Sequence, residues 1–412
     1  MFTRSIIAIS LSAMTASAVY AQNNTQTPLE TLPASKNIPI ESYGLSAQST
    51  SSAVVEHAAS MQEEQTTVDV PASAPQATTK KDAEEIIAAS QPASTPNATT
   101  STEPTRPSYA VANDWSLTAL NEAQWSSDLA RGQFPVYAKA QVLLNRKFAS
   151  PGAIDGMTGM NTLKAISSYQ TMNGLTVDGV LNEETWNSLN AGQHEPVFIE
   201  YTLTEADLKS SYAKSIPATP AERAKMKGMY YTRVTEMLGE KFHMDETFLK
   251  KLNPKATFNK AGEKLIVANV SNKLPEDIHL IIAHKSAKQL YLFNSKNKMI
   301  AAFPATVGKE GTPSPTGTLT ISNVAPNPWY SYNPKNFGRD KGEVYSIPPG
   351  PNNYVGNMWI GLSRPSFGIH GTPEPSNISK GTGSNGCVRL TNWDATNLSK
   401  YVKPGVSVKF IE

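Results

Sequence analysis

The chain has 412 residues, a formal net charge of +2 and a single cysteine. Its length allows two to four domains, and its nearly balanced charge gives no reason to expect nucleic acid as a partner. One cysteine excludes an intrachain disulfide framework and a Cys-rich zinc site, and no His-Glu-x-x-His or similar spacing appears. The sequence therefore predicts no metal and no cofactor.

Residues 1–21 have the pattern of a secretory signal peptide. Arg4 supplies the positive end, Ile6–Met14 forms a short semi-apolar core, and Val19–Ala21 is a small-residue exit. The apolar run is too short and too rich in serine to be a membrane span. We therefore expect an exported protein of the periplasm or cell wall, with no stable membrane span after signal cleavage.

Residues 22–108 form the next segment, which is dominated by Ser, Thr, Ala, Pro and Gln. Tyr43 is the only aromatic residue from Gln22 to Arg106. Such a composition cannot bury enough apolar surface to offset the entropy lost on ordering the chain. The segment is predicted to be a disordered tether.

Residues 109–192 are predicted to form a compact helical module. Val136–Phe148 and Thr162–Met172 carry apolar residues at helical spacing, and Asp-Gly turns at Asp155 and Asp178 flank the second stretch. With a closing Thr-Trp-x-x-Leu motif, this pattern resembles the peptidoglycan-binding domain 1 family. The resemblance implies docking of glycan or stem peptide, whereas the Asp-Gly pairs themselves suit turns that need positive φ and are expected to be architectural.

Residues 197–272 give a weaker pattern. A short strand at Tyr201–Leu203 and a final strand in Gly262–Val267 enclose the stretch Met237–Leu252. This order resembles the second half of a LysM module, a small glycan binder, into which Ser210–Met229 would be an insertion. A helical spacer between the two neighbouring modules is the alternative interpretation.

Residues 277–412 change to a strand pattern with Gly and Pro turns, which predicts a mainly-β, β-sandwich-like domain. The whole chain is therefore expected to be a multidomain α+β protein. The strand candidates are His279–Ala283 and Gln289–Phe293 as a hairpin, then Ala301–Val307, Ser314–Ile321, Trp359–Leu362 and Val406–Ile411.

The stretch Ile369–Leu390 holds His370 and the only cysteine, Cys387, among several glycines. A neighbouring imidazole can take the proton of a thiol and hold the thiolate as an ion pair, which lowers the thiol pKa. Backbone amides around Gly386 and Cys387 could point at a developing oxyanion. The alternative is that the cysteine is a small buried hydrophobe and the histidine a structural residue.

The order His370-Gly371-Thr, followed by Ser-x-Gly-Cys387-x-Arg, resembles the L,D-transpeptidase (YkuD-like) catalytic domain. The resemblance implies that Cys387 is the nucleophile, that His370 is the general base, and that the Gly371 carbonyl orients the imidazole. It also implies a mainly-β fold and an attack on a peptidoglycan stem peptide.

Further residues of the motif are expected at the oxyanion and substrate sites, and aromatic residues of two proline-rich loops are expected to line the cleft. Asn385 stands where the family often has a second histidine, which leaves the details of the oxyanion site open. The oxyanion and substrate candidates are Ser384, Asn385, Gly386 and Arg389, and the cleft candidates are Trp329, Tyr330 and Tyr354.

The sequence thus favours a peptidoglycan L,D-transpeptidase that releases the terminal D-alanine of a tetrapeptide stem. The expected partners are stem peptides and glycan, and the acceptor amine belongs either to another stem, giving a 3-3 cross-link, or to a lysine of an envelope protein. Two alternatives remain: an L,D-carboxypeptidase or endopeptidase that uses water, and a non-enzymatic wall-binding scaffold.

Overall fold

A computed structural model describes residues 114–270, 273–274, 277–337, 341–381 and 383–412, so the predicted signal peptide and tether lie outside the described residues. Within these ranges, no helix has both the length and the apolar character needed to cross a membrane. The helices are α1 (Leu117–Glu122), α2 (Pro135–Arg146), α3 (Met160–Asn173), α4 (Glu183–Asn190), α5 (Glu205–Leu208), α6 (Pro220–Arg223), α7 (Val234–Lys241), α8 (Glu246–Leu252) and α9 (Asn392–Ser399).

The strands are fewest in the first half of the chain and dominate the second half. They are β1 (Phe198–Thr202), β2 (Lys264–Ala268), β3 (Leu280–His284), β4 (Gln289–Phe293), β5 (Met299–Pro304), β6 (Gly317–Pro326), β7 (Tyr330–Tyr332), β8 (Tyr345–Ile347), β9 (Met358–Leu362), β10 (Gly368–His370), β11 (Val388–Arg389) and β12 (Ser407–Ile411). This distribution confirms an α+β chain with a mainly-β C-terminal unit.

The helical unit comprises α1 to α4, and two buried glutamines hold its turns. Gln141 Oε1 accepts the amide of Gly156 at 2.7 Å, and Gln170 Oε1 accepts the amide of Gly179 at 2.9 Å. Both glycines have φ near +70°, where a side chain would be strained. The Asp-Gly pairs therefore have the architectural role that the sequence predicts.

The small α/β unit is built on β1 and β2, which pair antiparallel from Phe198 opposite Ala268 to Thr202 opposite Lys264. The helices α7 and α8 lie between these strands in the chain and pack against each other, and α8 also packs on β2. Apart from the short helices α5 and α6, the order is β-α-α-β, as the LysM resemblance implies, and that resemblance itself stays a prediction.

Residues 210–229, which we call the strap, leave the α/β unit and contact the C-terminal unit. The backbone of Met229 donates to the Pro349 carbonyl at 2.8 Å and accepts from the Asn352 amide at 2.9 Å. A Cβ at Gly350 would lie 2.3 Å from the Met229 carbonyl oxygen, so glycine permits this close approach. The expected insertion is therefore a bridge between the two units.

The C-terminal unit contains one eight-stranded sheet in the order β11-β10-β9-β6-β12-β3-β4-β5. The long strand β6 pairs with β12 through its first residues and with β9 through its last residues. The expected sandwich-like layering is thus realised by one sheet whose two halves share β6, rather than by two separate sheets. Side chains such as Leu292, Ile360 and Val408 are fully buried in its core, and α9 packs on β9 and β10.

The edge strand β5 is covered by the helical unit. Ala302 donates its amide to the Phe148 carbonyl at 2.8 Å, and Ser150 donates its amide to the Ala302 carbonyl at 2.9 Å. The hydroxyl of Ser150 also donates to the buried carboxylate of Asp394 at 2.8 Å. These bonds satisfy backbone groups that an open sheet edge would leave unpaired.

Two residues near the ends of helices make contacts between units. His243 lies in the turn between α7 and α8 with φ +55° and stacks on Trp393 at 5.1 Å. Thr391 is the N-cap of α9 and accepts the Asp394 amide. The side chain of Asn392, the first residue of α9, is therefore not needed as a cap and makes contacts elsewhere.

Candidate active site

Two short parallel strands carry the predicted histidine and cysteine. In the pairing of β10 with β11, His370 lies opposite Arg389 and Ile369 lies opposite Val388. Cys387 comes directly before β11, so the alternation of side chains puts Cys387, Arg389 and His370 on one face. Strand spacing and a two-residue offset put the Cα atoms of Cys387 and His370 roughly 8 Å apart. Both side chains line one cleft with a volume of about 770 Å³.

The imidazole of His370 is held in one tautomer. Its Nδ1 lies 2.6 Å from the carbonyl oxygen of Gly371. A carbonyl can only accept, so Nδ1 carries the proton and Nε2 carries the lone pair. Burial, together with the charge of Arg389, lowers the pKa of His370 to about 4. The ring, which stacks on Trp359 at 5.9 Å, is therefore neutral at neutral pH.

The thiol of Cys387 is half-buried, and its Sγ lies 3.5 Å from the Ser366 carbonyl oxygen. Burial raises the pKa of Cys387 above its ordinary value, although the Gly368 backbone and the Arg389 charge act in the opposite direction. The direction of this shift is opposite to the lowered thiol pKa expected from the sequence, because desolvation outweighs the charge effects. At rest the thiol and the neutral imidazole line the same cleft.

The loop that leads into Cys387 is held by Ser384. The hydroxyl of Ser384 donates to the Cys387 carbonyl, and it accepts the amide of Gly386 at 3.1 Å. Gly386 has φ +105°, and a Cβ there would lie 2.8 Å from the Phe367 ring. The Gly386 amide is thus used inside the loop, contrary to the expectation that it points at a reacting carbonyl. In the part of the chain that the structure describes, the Cys387 amide has no hydrogen-bond acceptor.

Arg389 and Asn385 present polar groups to the same cleft. The Nε of Arg389 is buried and has no hydrogen-bond partner within the described ranges. Burial lowers the pKa of the guanidinium, and the charge of Glu374 opposes this shift. Asn385 is exposed on the loop before Cys387. The guanidinium is therefore available to a carboxylate of a bound molecule.

Aromatic side chains form one side of the cleft. Trp329, Tyr330 and Tyr354 all line it, with Trp329 64% exposed and the Tyr330 and Tyr354 rings 5.3 Å apart. Burial and the nearby Cys387 raise the pKa of Tyr330 to about 12. Such a surface, in a cleft that Arg389 also lines, suits a peptide that carries a free carboxylate.

The strap packs against the aromatic side of the cleft. The guanidinium of Arg223 lies 4.4 Å from the centre of the Tyr354 ring. Met229 is fully buried in an apolar cluster with Tyr332 and Ile347, against which Met226 also packs. The rim of the cleft, meaning β7, β8 and residues 348–356, is therefore built from two units of the chain.

Sequence reasoning missed several residues that line the cleft. Trp359 lies directly opposite His370 in the pairing of β9 with β10, and Ser366 and Phe367 come from the turn before β10. Strand alternation could have suggested on which face of the sheet the Trp359 side chain lies. That β9 pairs with β10, and so places Trp359 opposite His370, is not evident from the sequence. Over the described ranges, no group of three or more His, Cys, Asp or Glu side chains could hold a metal ion.

Two family models match the chain. The L,D-transpeptidase catalytic domain, YkuD, matches residues 278–410, and a peptidoglycan binding domain matches residues 137–189. Curated relatives are similar over the C-terminal part. YkuD of Bacillus licheniformis, named as an L,D-transpeptidase, is 30% identical over 148 residues, which cover 36% of this chain and 74% of the relative. YbiS of Escherichia coli K12, also named as an L,D-transpeptidase, is 28% identical over 44% of this chain and 61% of its own length.

Solved structures give similar matches. An L,D-transpeptidase from Mycobacterium smegmatis aligns with 37% of this chain and 64% of its own, at 18% identity and a TM-score of 0.28. An L,D-transpeptidase from Stackebrandtia nassauensis aligns with 70% of this chain and 95% of its own, at 14% identity and a TM-score of 0.26.

Proposed function

This chain belongs to the L,D-transpeptidase family of enzymes, and from that premise we propose that Cys387 is its nucleophile and His370 its general base. The substrate is a peptidoglycan stem peptide, in keeping with the match to a peptidoglycan binding domain in the helical unit. The observation that carries the assignment is the hydrogen bond from His370 Nδ1 to the Gly371 carbonyl. It leaves the basic nitrogen, Nε2, for the cleft that Cys387 shares.

In the acylation step, the Cys387 proton passes to His370 Nε2 as the sulfur attacks the carbonyl carbon of the third stem residue. A C–S bond forms and the carbonyl oxygen becomes an oxyanion. Collapse breaks the C–N bond to the terminal D-alanine, whose nitrogen takes the proton back from the imidazole. A neutral imidazole suits this order of steps, since the base must be unprotonated before the sulfur attacks.

The second step transfers the acyl group to an amine. The amine attacks the thioester carbonyl, its proton passes to His370 Nε2, and the C–S bond breaks as the new amide forms. The thiolate then regains its proton from the imidazolium. We propose another stem as the acceptor, which gives a 3-3 cross-link, with an envelope lysine as the second amine of suitable chemistry.

One backbone amide and one side chain are proposed to hold the reacting substrate. The Cys387 amide is the candidate oxyanion donor, because the Gly386 amide is already bonded to Ser384. Arg389 is the candidate partner of a stem carboxylate, which a guanidinium can bind through two parallel hydrogen bonds. Export to the periplasm or cell wall follows from the substrate and from the signal pattern of residues 1–21.

Product analysis tests this function. Purified protein is incubated with tetrapeptide muropeptides, the products are separated, and their masses are measured by mass spectrometry. Cross-linked dimers with loss of one D-alanine are expected, together with a thioester on Cys387. Tripeptides without dimers would establish water as the acceptor and overturn transfer to a stem. The Cys387→Ala variant is the control, and full activity in it would overturn the nucleophile assignment.

A further inference from the structure

A carboxyl group of the small α/β unit reaches the C-terminal unit through one amide. Glu240, in α7, is partly buried, and its Oε1 accepts a hydrogen bond from Asn392 Nδ2 at 2.7 Å. Its other oxygen accepts from the hydroxyl of Tyr231 at 3.0 Å. Both carboxyl oxygens are therefore engaged, one toward its own unit and one toward α9.

The amide of Asn392 is in turn packed on the peptide that follows the candidate base. A Cβ at Gly371 would lie 2.1 Å from Asn392 Oδ1, and a Cβ at Gly356 would lie 1.9 Å from the same atom. Only glycine at both positions leaves room for the amide. Asn392 Oδ1 also accepts the Asn357 amide at 3.2 Å, which fixes its orientation.

These contacts form one series across two units of the chain. The carboxyl of Glu240 holds Asn392, Asn392 packs on Gly371, and the Gly371 carbonyl accepts the Nδ1 proton of His370. A shift of Asn392 would therefore change the direction of the carbonyl that fixes the imidazole. Metal-free catalytic histidines depend on such an acceptor for the correct tautomer and ring direction.

We propose that Glu240 is a positioning residue for His370, and that it acts through Asn392 and the Gly371 peptide. The proposal rests on the proposed function, because His370 is taken as the base. It gives the α/β unit a part in the chemistry besides any binding of glycan. Glu240 does not touch substrate, so its effect is on the rate of proton transfer rather than on substrate affinity.

The carboxyl acts here as a neutral hydrogen-bonding group, in which Oε1 still accepts from Asn392 while Oε2 carries the proton and donates it to the Tyr231 oxygen, the reverse of the direction in the ionised form. Burial raises the pKa of Glu240 to about 8, and the hydrogen bonds from Asn392 and Tyr231 only partly oppose this. The other charged groups nearby are Arg233, Glu236, Glu246 and Glu374, which line the adjoining cavity of about 230 Å³. A glutamine could make the same contacts, since its oxygen can accept from Asn392 and its nitrogen can donate to the Tyr231 oxygen.

The test compares Glu240→Gln with Glu240→Leu in the full chain. Glu240→Leu removes the shorter of the two hydrogen bonds that Asn392 Nδ2 donates, leaving only the one to the Pro351 carbonyl at 3.3 Å. It is expected to lower kcat about tenfold, with KM changed less than about twofold. Glu240→Gln keeps the acceptor and is expected to stay within about twofold of the parent in both. Tyr231→Phe, which removes only the contact within the α/β unit, is the matched control and is expected to keep kcat. An equal kcat in all variants, or an equal loss in both Glu240 variants, would overturn the proposal.

A second measurement separates this proposal from the proposed function and does not depend on activity. Nitrogen NMR of His370 is expected to show protonated Nδ1 and unprotonated Nε2 in the parent and in Glu240→Gln, and a mixture of tautomers in Glu240→Leu. An unchanged tautomer in a folded Glu240→Leu would refute positioning. If Glu240→Leu does not fold, Asn392→Ala is expected to give the same mixture, and its failure to do so would refute the proposal. Absence of product with the parent protein would refute the function alone.

Discussion

Arg389 lies directly opposite His370 across the parallel pair β10 and β11, so a guanidinium and a neutral imidazole share one face of the sheet. The charge of Arg389 is one cause of the lowered pKa of His370, after burial. The same charge acts on Cys387, where it favours the thiolate. Arg389 therefore lowers the pKa of both proposed catalytic groups. This favours the unprotonated imidazole and makes the thiol easier to ionise.

The acid limit of activity should depend on Arg389. His370 must be unprotonated to accept a proton, so kcat/KM is expected to fall as pH drops through about 4. Arg389→Met removes the cation, which raises the pKa of His370 and moves this limit to higher pH. Arg389→Lys keeps the charge and should keep the limit near that of the parent. The measurement is kcat/KM against pH, and an unmoved limit in Arg389→Met would contradict the electrostatic role.

The ionisation of Cys387 can be followed directly, because it is the only cysteine in the chain. With burial raising its pKa, alkylation by iodoacetamide is expected to be slow at pH 7 and to rise about tenfold per pH unit up to about pH 9. His370→Gln should leave this profile nearly unchanged, since burial, the Gly368 backbone and Arg389 are the groups that shift the Cys387 pKa. A rate that is already at its plateau below pH 7 would instead reveal a thiolate–imidazolium pair.

The strap should stabilise the rim of the cleft. Arg223→Ala removes the cation over the Tyr354 ring and is expected to cost about 0.5–1 kcal/mol of stability. Because Tyr354 lines the cleft, KM for the stem peptide should rise as well. Lys225→Ala, an exposed neighbour in the same segment, is the control and should change neither quantity. Thermal unfolding and steady-state kinetics on both variants measure stability and KM. Equal values for the two variants would show that the strap does not stabilise the rim of the cleft.

Glu240 should make stability depend on pH in a defined direction. Its carboxyl pKa is raised to about 8 in the folded chain from an ordinary value of 4.5. Between pH 4.5 and about 8, the folded state therefore binds more protons at this group than the unfolded state does. Stability is then expected to fall as pH rises from about 5 to 8, by at most about 1.4 kcal/mol per pH unit from this group.

Glu240→Gln removes the titrating group behind that dependence. The difference in unfolding free energy between the variant and the parent should therefore grow in favour of the variant over the same pH window. Urea unfolding at pH 5, 6, 7 and 8 measures this difference. Asp394, whose pKa burial raises to about 7, acts in the same direction in both proteins and cancels in the comparison. A constant difference across the four pH values would contradict the raised pKa.

The parts of the fold that depend on local patterns could be predicted from the sequence. The helical spacing of Val136–Phe148 gave α2, and the Asp-Gly pairs gave the turns at Gly156 and Gly179. The double pairing of β6 could not be foreseen, because it depends on which distant strands lie on each side.

The candidate site divides in the same way. His370 and Cys387 were evident because thiol, base and glycines stand within one motif. Glu240 and Asn392 were not, since 152 positions separate them and only packing of two units brings them together. The direction of the Cys387 pKa shift was also missed, because burial is a property of the assembled cleft and not of the motif.

The hydrogen bonds between Phe148–Ser150 and β5 extend the eight-stranded sheet of the C-terminal unit onto the helical unit. A hinge motion between these two units would have to break those backbone bonds. The helical unit is therefore expected to follow the sheet in any motion that opens or closes the cleft.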